Sequence, residues 1–182
     1  MSRQYWSETL AWATADGTAV SATTTETIIF PNVTIPANYM QDGRVLRLTS
    51  YGRHTSAGQT FTFRFRWGGV AGTVIAASPA VTGPTATAGI WKCEGIIQTR
   101  SNGATGTVFG IIEIGVYDDA AGSAGSATSA PGLGLGGSAG VATPAAATVD
   151  LTADTALSLT CALGTAGSNA FTGHIYIIEG LN

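Results

Sequence analysis

The residues that could do chemistry are few and far apart in the chain. Glu94, Glu113 and Glu179 each stand in an apolar, alternating stretch that reads as a strand. Two carboxyl groups flanking a sugar are what glycoside hydrolysis needs, one to protonate the leaving oxygen and one to attack or to activate water. The pair would be Glu113 with Glu94 or with Glu179, and nothing in linear order brings any two of them together. The two histidines are His54, in a Gly/Ser turn, and His174, in the last strand-like segment. No His, Cys or Asp stands at metal-ligand spacing from either, and His174 reads as a satisfied core or interface imidazole rather than a general base. Asp118-Asp119 lacks the further oxygen ligands that a hard cation takes and reads as solvated turn carboxylates. Gly136-Gly137-Ser138-Ala139-Gly140 has the form of a nucleophile elbow, and Gly132 to Gly137 the form of a dinucleotide-binding loop. Both fall in a tract of small residues where such matches arise by composition, and neither follows a strand and opens a helix. No catalytic residue, metal or cofactor is expected, and the chain reads as a non-enzyme.

The stretch Phe61-Thr62-Phe63-Arg64-Phe65-Arg66-Trp67 alternates rings with Thr and Arg. A strand puts successive side chains on opposite faces, so the four rings share one face and the arginines the other. A nucleic-acid platform would need rings and cations converging on one surface. The rings therefore read as core. The arginine face, with Arg47 on what reads as the neighbouring strand, is either an interface salt-bridge cluster or a solvated face of snorkelling side chains. If it is an interface, changing Arg64 and Arg66 to Ser should weaken assembly without unfolding the domain.

The elements that must position these residues are strands. Short alternating segments recur from ETIIFPNVTI through RVLRLTSYG, TFTFRFRW, IWKCEGIIQTR, TVFGIIEIGVY and ALSLTCAL to HIYIIEG, separated by turn residues, and no segment has a helical period. Asn102-Gly103 marks a hairpin, since both residues tolerate positive φ. About eight or nine strands without a helix predict an all-β antiparallel sandwich, jelly-roll-like, with an immunoglobulin-type sandwich as the alternative. Residues 1–25 carry Trp6 and Trp12 without sustained periodicity and read as an N-terminal arm. Residues 26–182 read as a single domain. Within it, the Gly/Ala/Ser-rich stretch 118–147 is a long loop, either mobile or laid on a partner.

Composition narrows the partners. Charged residues are 10% of the chain, against about 25% in a typical soluble domain. Such a chain covers itself with small polar residues or hides surface against neighbours, which favours a subunit of an assembly. The net charge of −3 supplies no basic field for nucleic acid. Neither a secretory leader nor a membrane span is legible in MSRQYWSETLAWATADG. Cys93 and Cys161 lie in alternating apolar segments and are expected as buried free thiols, with a disulfide between them left open.

Four successive passages, FPNVTIPANYMQDGRVLRLTSYGR, TFTFRFRWGGVAGTVIA, GIIQTRSNGATGTVFG and the ending TVDLTADTALSLTCALGTAGSNAFTGHIYIIEGLN, together resemble virion structural proteins of tailed bacteriophages. The resemblance rests on the Pro-Ala-Asn turn, Asp-Gly-Arg, the aromatic strand closed by Trp-Gly-Gly and the terminal Glu-Gly-Leu-Asn, over roughly residues 26–182. It implies a capsid cement or decoration protein, a homotrimer bound to the major capsid protein on the outer capsid surface, with neither nucleic acid nor membrane as partner. Its place would be the virion, after synthesis in the host cytoplasm, with Trp6, Trp12, Arg47, Arg64 and Arg66 as capsid or subunit contacts. Many weak contacts spread over several capsomers stabilise a closed shell in preference to its separated parts. The alternative is a tail or fibre module that binds a cell-surface glycan by stacking exposed Trp or Tyr rings on sugar.

Overall fold

A computed structural model describes residues 7–118, 132–135 and 145–181. In chain order the strands are β1 (Ser7–Trp12), β2 (Val20–Ser21), β3 (Thr27–Ile28), β4 (Val33–Ile35), β5 (Val45–Ala57), β6 (Thr60–Trp67) and β7 (Thr73–Ala77). They continue as β8 (Val81–Thr82), β9 (Thr85–Ser101), β10 (Gly106–Tyr117), β11 (Gly132–Leu135), β12 (Ala147–Val149), β13 (Thr155–Leu163) and β14 (Ala170–Leu181). The sequence shows fewer because β2, β3, β4, β8 and β12 span only two or three residues, too few for a period of two to register.

Two antiparallel sheets form a sandwich, and the described residues contain no helix. The larger sheet runs β1-β14-β5-β9-β10-β11, with β12 also on β10 and β2 on β14. The smaller runs β3-β13-β6-β7, with β4 on β13 and β8 on β6. Part of the expected N-terminal arm is built into the larger sheet: Ser7–Trp12 pairs along β14. Within the small-residue stretch 118–147, Gly132–Leu135 pairs with β10. The hairpin at Asn102-Gly103 is present, with β9 and β10 antiparallel and Gly103 at φ 115°, a conformation that favours glycine.

Alternation decides what faces inward. On β6, Phe61, Phe63, Phe65 and Trp67 are all buried, as their spacing requires. From the larger sheet Leu46, Leu48, Trp91, Cys93, Ile97, Ile112, Ile114 and Ile178 meet them. Phe63 lies 5.1 Å from Trp91 and 5.6 Å from Phe171 between ring centres, and Phe30 stacks on Tyr176 at 4.7 Å. Burying one such ring contributes roughly 1.5–3 kcal/mol. Glycine makes room for them: a Cβ on Gly95 would come within 2.2 Å of the Phe65 ring, and one on Gly173 within 2.2 Å of Phe30. The polar ends of the two buried indoles are satisfied, Trp67 Nε1 donating to the Asp150 carbonyl and Trp91 Nε1 to that of Thr172.

Candidate functional site

The same alternation that fills the core leaves the other side of the larger sheet facing outward, and strand register decides which outward residues become neighbours. In one row across β5, β9 and β10 stand Thr49, Glu94 and Glu113, each opposite the next. In the adjoining row β14 contributes Glu179, opposite Arg47 on β5, followed by Ile96 and Ile111. These residues line an open cleft of about 400 Å³. All three glutamates that linear order kept apart thus meet in one place.

Cations hold two of the three. Arg47 donates from Nε to Glu179 at 2.8 Å, with Nη2 also 2.8 Å from the same carboxylate oxygen. Lys92 Nζ lies 3.0 Å from Glu94 Oε2. The hydrogen bond to Glu94 raises the Lys92 pKa above its ordinary value, and the charges of Glu94, Tyr51 and Glu113 act in the same sense. Glu113 is exposed and enters none of the described ion pairs. Two cations therefore face three carboxylates. Like charges directly opposite on paired strands destabilise a sheet, so the Glu94/Glu113 pair is a local cost that Lys92 only partly offsets.

The same outer face carries exposed apolar residues, of which Ile96 lines the cleft. Trp12, Ile90, Ile96, Tyr117 and Ile175 are the exposed large hydrophobic residues apart from Val70, among the described residues. Trp12, on the edge strand, pairs with Ile177 in the row of Thr49, Glu94 and Glu113, and its side chain is 63% exposed. Ile90 stands opposite Tyr117, and Ile175 opposite Tyr51. Exposed apolar residues gathered on one face mark an interaction surface, whereas scattered ones need no explanation.

The other sequence candidates lie elsewhere. Arg47 is not beside the arginines of β6: β5 and β6 follow one another but belong to different sheets, so Arg47 is on the opposite outer face of the sandwich. Arg64 and Arg66 clasp Glu26. Arg64 Nη1 donates to Glu26 Oε2 at 2.9 Å and Arg66 Nη2 to the same oxygen at 2.7 Å, while Arg66 Nε and the Thr160 hydroxyl donate to Oε1. A further Arg66 nitrogen caps the Gly72 carbonyl at 2.7 Å. Burial alone would push the Glu26 carboxyl up, but hydrogen bonds from Arg66 and Thr160 and the two arginine charges outweigh it and hold it below 4.5. Reading the sequence missed Glu26, which lies far from its partners; its position just ahead of an apolar run was the one available signal.

His54 is not in a turn. It sits buried in β5, stacked on Phe171 at 5.3 Å, with Nε2 2.9 Å from the Tyr117 carbonyl. His174 is exposed at the irregularity of β14 and pairs with Asp16 at 2.7 Å rather than entering the core. Both cysteines are free and buried, and burial pushes both thiols well above their ordinary range. No group of three or more His, Cys, Asp or Glu among the described residues is arranged to hold a metal. Trp6, Asp119 and Gly136-Gly137-Ser138-Ala139-Gly140 lie outside the described residues. No described helix is long and apolar enough to cross a membrane.

Fold and site together define an all-β sandwich with a polar cleft and exposed apolar residues on one sheet face. No known family matches the chain, and no curated protein does. A solved structure that it is similar to is the CBM2 module of the evolved Dit of Lactobacillus casei BL23 phage J-1. The identity is 10%, the coverage 99% of this chain and 98% of that one, and the TM-score 0.40.

Proposed function

We propose that the protein is a non-catalytic binding module of a bacteriophage virion, belonging to the tail or a fibre, and that the outer face of its larger sheet takes a cell-surface glycan. The observation that carries this reading is the row in which Glu94 and Glu113 stand side by side, next to the Arg47–Glu179 pair and in line with exposed Trp12. Sugars offer hydroxyls that donate to carboxylates and accept from guanidinium, together with apolar ring faces that stack on aromatics. Glu94 and Glu179 are each held by a cation, Lys92 and Arg47, which fixes their oxygens to accept hydrogen bonds from a ligand's hydroxyls.

The test is an array of purified bacterial surface polysaccharides probed with labelled protein. The wild-type protein should bind a subset, and Glu113→Gln combined with Arg47→Ser should weaken that binding at least about tenfold, the loss of roughly 1.4 kcal/mol expected for a charge-assisted contact. Undiminished binding by the double variant would reject the cleft as the site.

The capsid cement reading keeps one observation in its favour. Trp12, Ile90, Ile96, Tyr117 and Ile175 all lie on the same outer face, and a neighbouring subunit or the major capsid protein would cover such residues. Gold labelling of intact virions separates the two: a signal over the whole shell supports the cement homotrimer, and one at the tail supports the glycan module.

A further inference from the structure

Beyond the cleft, at the end of β10, the side chain of Tyr117 is laid against the outer face of the larger sheet. By alternation Glu113, Gly115 and Tyr117 all stand outward on this strand, yet Gly115 is buried while the two residues beside it are exposed. The cover is Tyr117 itself: a Cβ on Gly115 would come within 2.7 Å of the Tyr117 hydroxyl and within 3.2 Å of two of its ring carbons. The ring therefore lies back along the sheet instead of standing away from it, and 44% of the residue stays exposed. The side turned away from the sheet is the open one.

The backbone of Tyr117 is fixed from inside the sandwich. Its carbonyl accepts a hydrogen bond from Nε2 of buried His54 at 2.9 Å, and the missing Cβ of Gly89, which pairs with His54 on β9, leaves the space in which the two meet. On β9, Lys92 stands opposite Gly115 and exposed Ile90 stands opposite Tyr117. Lys92 is the side chain that reaches Glu94 in the cleft. Ring and cleft are close neighbours. Successive residues on one face of a strand are about 7 Å apart, so the Tyr117 hydroxyl, lying over Gly115, is one such step from Glu113.

An open aromatic surface beside Ile90, with an ammonium and carboxylates at one end, matches the apolar face and the hydroxyl rim of a pyranose. We propose that Tyr117 is the platform of a second sugar subsite, and that the protein takes at least two consecutive residues of a glycan chain running along β9 and β10. One residue sits in the cleft beside Glu94 and Glu113, and the next stacks on Tyr117 and Ile90. The proposal rests on the glycan reading and adds to it a chain direction, a minimum length and the residue that sets that length. Two subsites reached by one chain reinforce each other, because the first contact holds the ligand where the second forms.

The test is isothermal titration calorimetry of the full-length protein with the array polysaccharides cut by partial hydrolysis to mono-, di- and tetrasaccharides. The disaccharide should bind at least about tenfold more tightly than the monosaccharide. Tyr117→Ala should remove that gain and leave monosaccharide binding as in wild type, whereas Tyr117→Phe, which keeps the ring, should retain it. Gly115→Ala displaces only the far end of the Tyr117 side chain, so it should weaken disaccharide binding several-fold while leaving the urea midpoint unchanged. A monosaccharide that binds as tightly as the tetrasaccharide, or a Tyr117→Ala protein that binds the disaccharide as well as wild type, would overturn the proposal. Polysaccharide binding lost in the Glu113→Gln, Arg47→Ser protein but unchanged in Tyr117→Ala would leave the cleft reading standing and reject this one. Failure of the wild-type protein to bind any polysaccharide of the array would reject both.

Discussion

Replacing Glu26 by Gln tests how much of the smaller sheet depends on one carboxylate. In the native protein its two oxygens receive hydrogen bonds from Arg64, Arg66 and Thr160, and its side chain is 17% exposed. A glutamine keeps one carbonyl oxygen but turns an NH2 toward a guanidinium, so at least one charge-assisted bond is lost and Arg64 and Arg66 face each other without a counter-charge. A hydrogen bond to a charged group contributes about 1.5–3 kcal/mol, and breaking a fully buried pair costs about 3–5 kcal/mol. Partial exposure places the expected loss near 2–3 kcal/mol at neutral pH, a large share of a typical total of roughly 5–15 kcal/mol. Urea unfolding followed by tryptophan fluorescence measures it directly. The pH dependence supplies a second reading. The folded pKa of Glu26 lies below its ordinary 4.5, so its contribution is fully present above that value and is lost as pH falls through the folded value. Wild type and Glu26→Gln should therefore differ most at pH 7 and converge in acid. A difference below about 0.5 kcal/mol at pH 7, the size of an ordinary surface change, or a gap that does not narrow on acidification, would refute the reasoning.

The same network revises what an Arg64→Ser, Arg66→Ser protein should do. It leaves Glu26 partly buried without its cations, so it should unfold at lower urea than wild type, and an assembly assay on it would report stability before contact. Gly95→Ala should destabilise by about 1–3 kcal/mol, the usual cost of overpacking, because the new methyl would meet both the Phe65 ring and the Ile111 carbonyl; an unchanged urea midpoint would contradict the packing. Cys93 and Cys161 should resist a thiol reagent in the native protein and both react once it is unfolded, since each is buried and its thiolate disfavoured. Fast native labelling of either would mean that the sandwich opens there.

Much of the interior could be read in advance for a local reason. Along one strand, side-chain direction follows from position alone, so Phe61, Phe63, Phe65 and Trp67 could be assigned to the core before any partner strand was known. Asn102-Gly103 was equally legible, since its turn depends on two adjacent residues. His54 was misread because the Gly and Ser around it suggest a turn, whereas tertiary pairing with β9 and β14 draws that segment into a long strand.

By itself the sequence determined the fold class, the inward face of β6 and the scarcity of charge, because these depend on local alternation and composition. Only the tertiary structure decided which outward residues are neighbours. Register is a relation between strands distant in the chain, and a slip of one residue sends every side chain to the other face. That relation gathers Glu94, Glu113 and Glu179 in one cleft, parts Arg47 from Arg64 and Arg66, and gives Glu26 to the two arginines on β6.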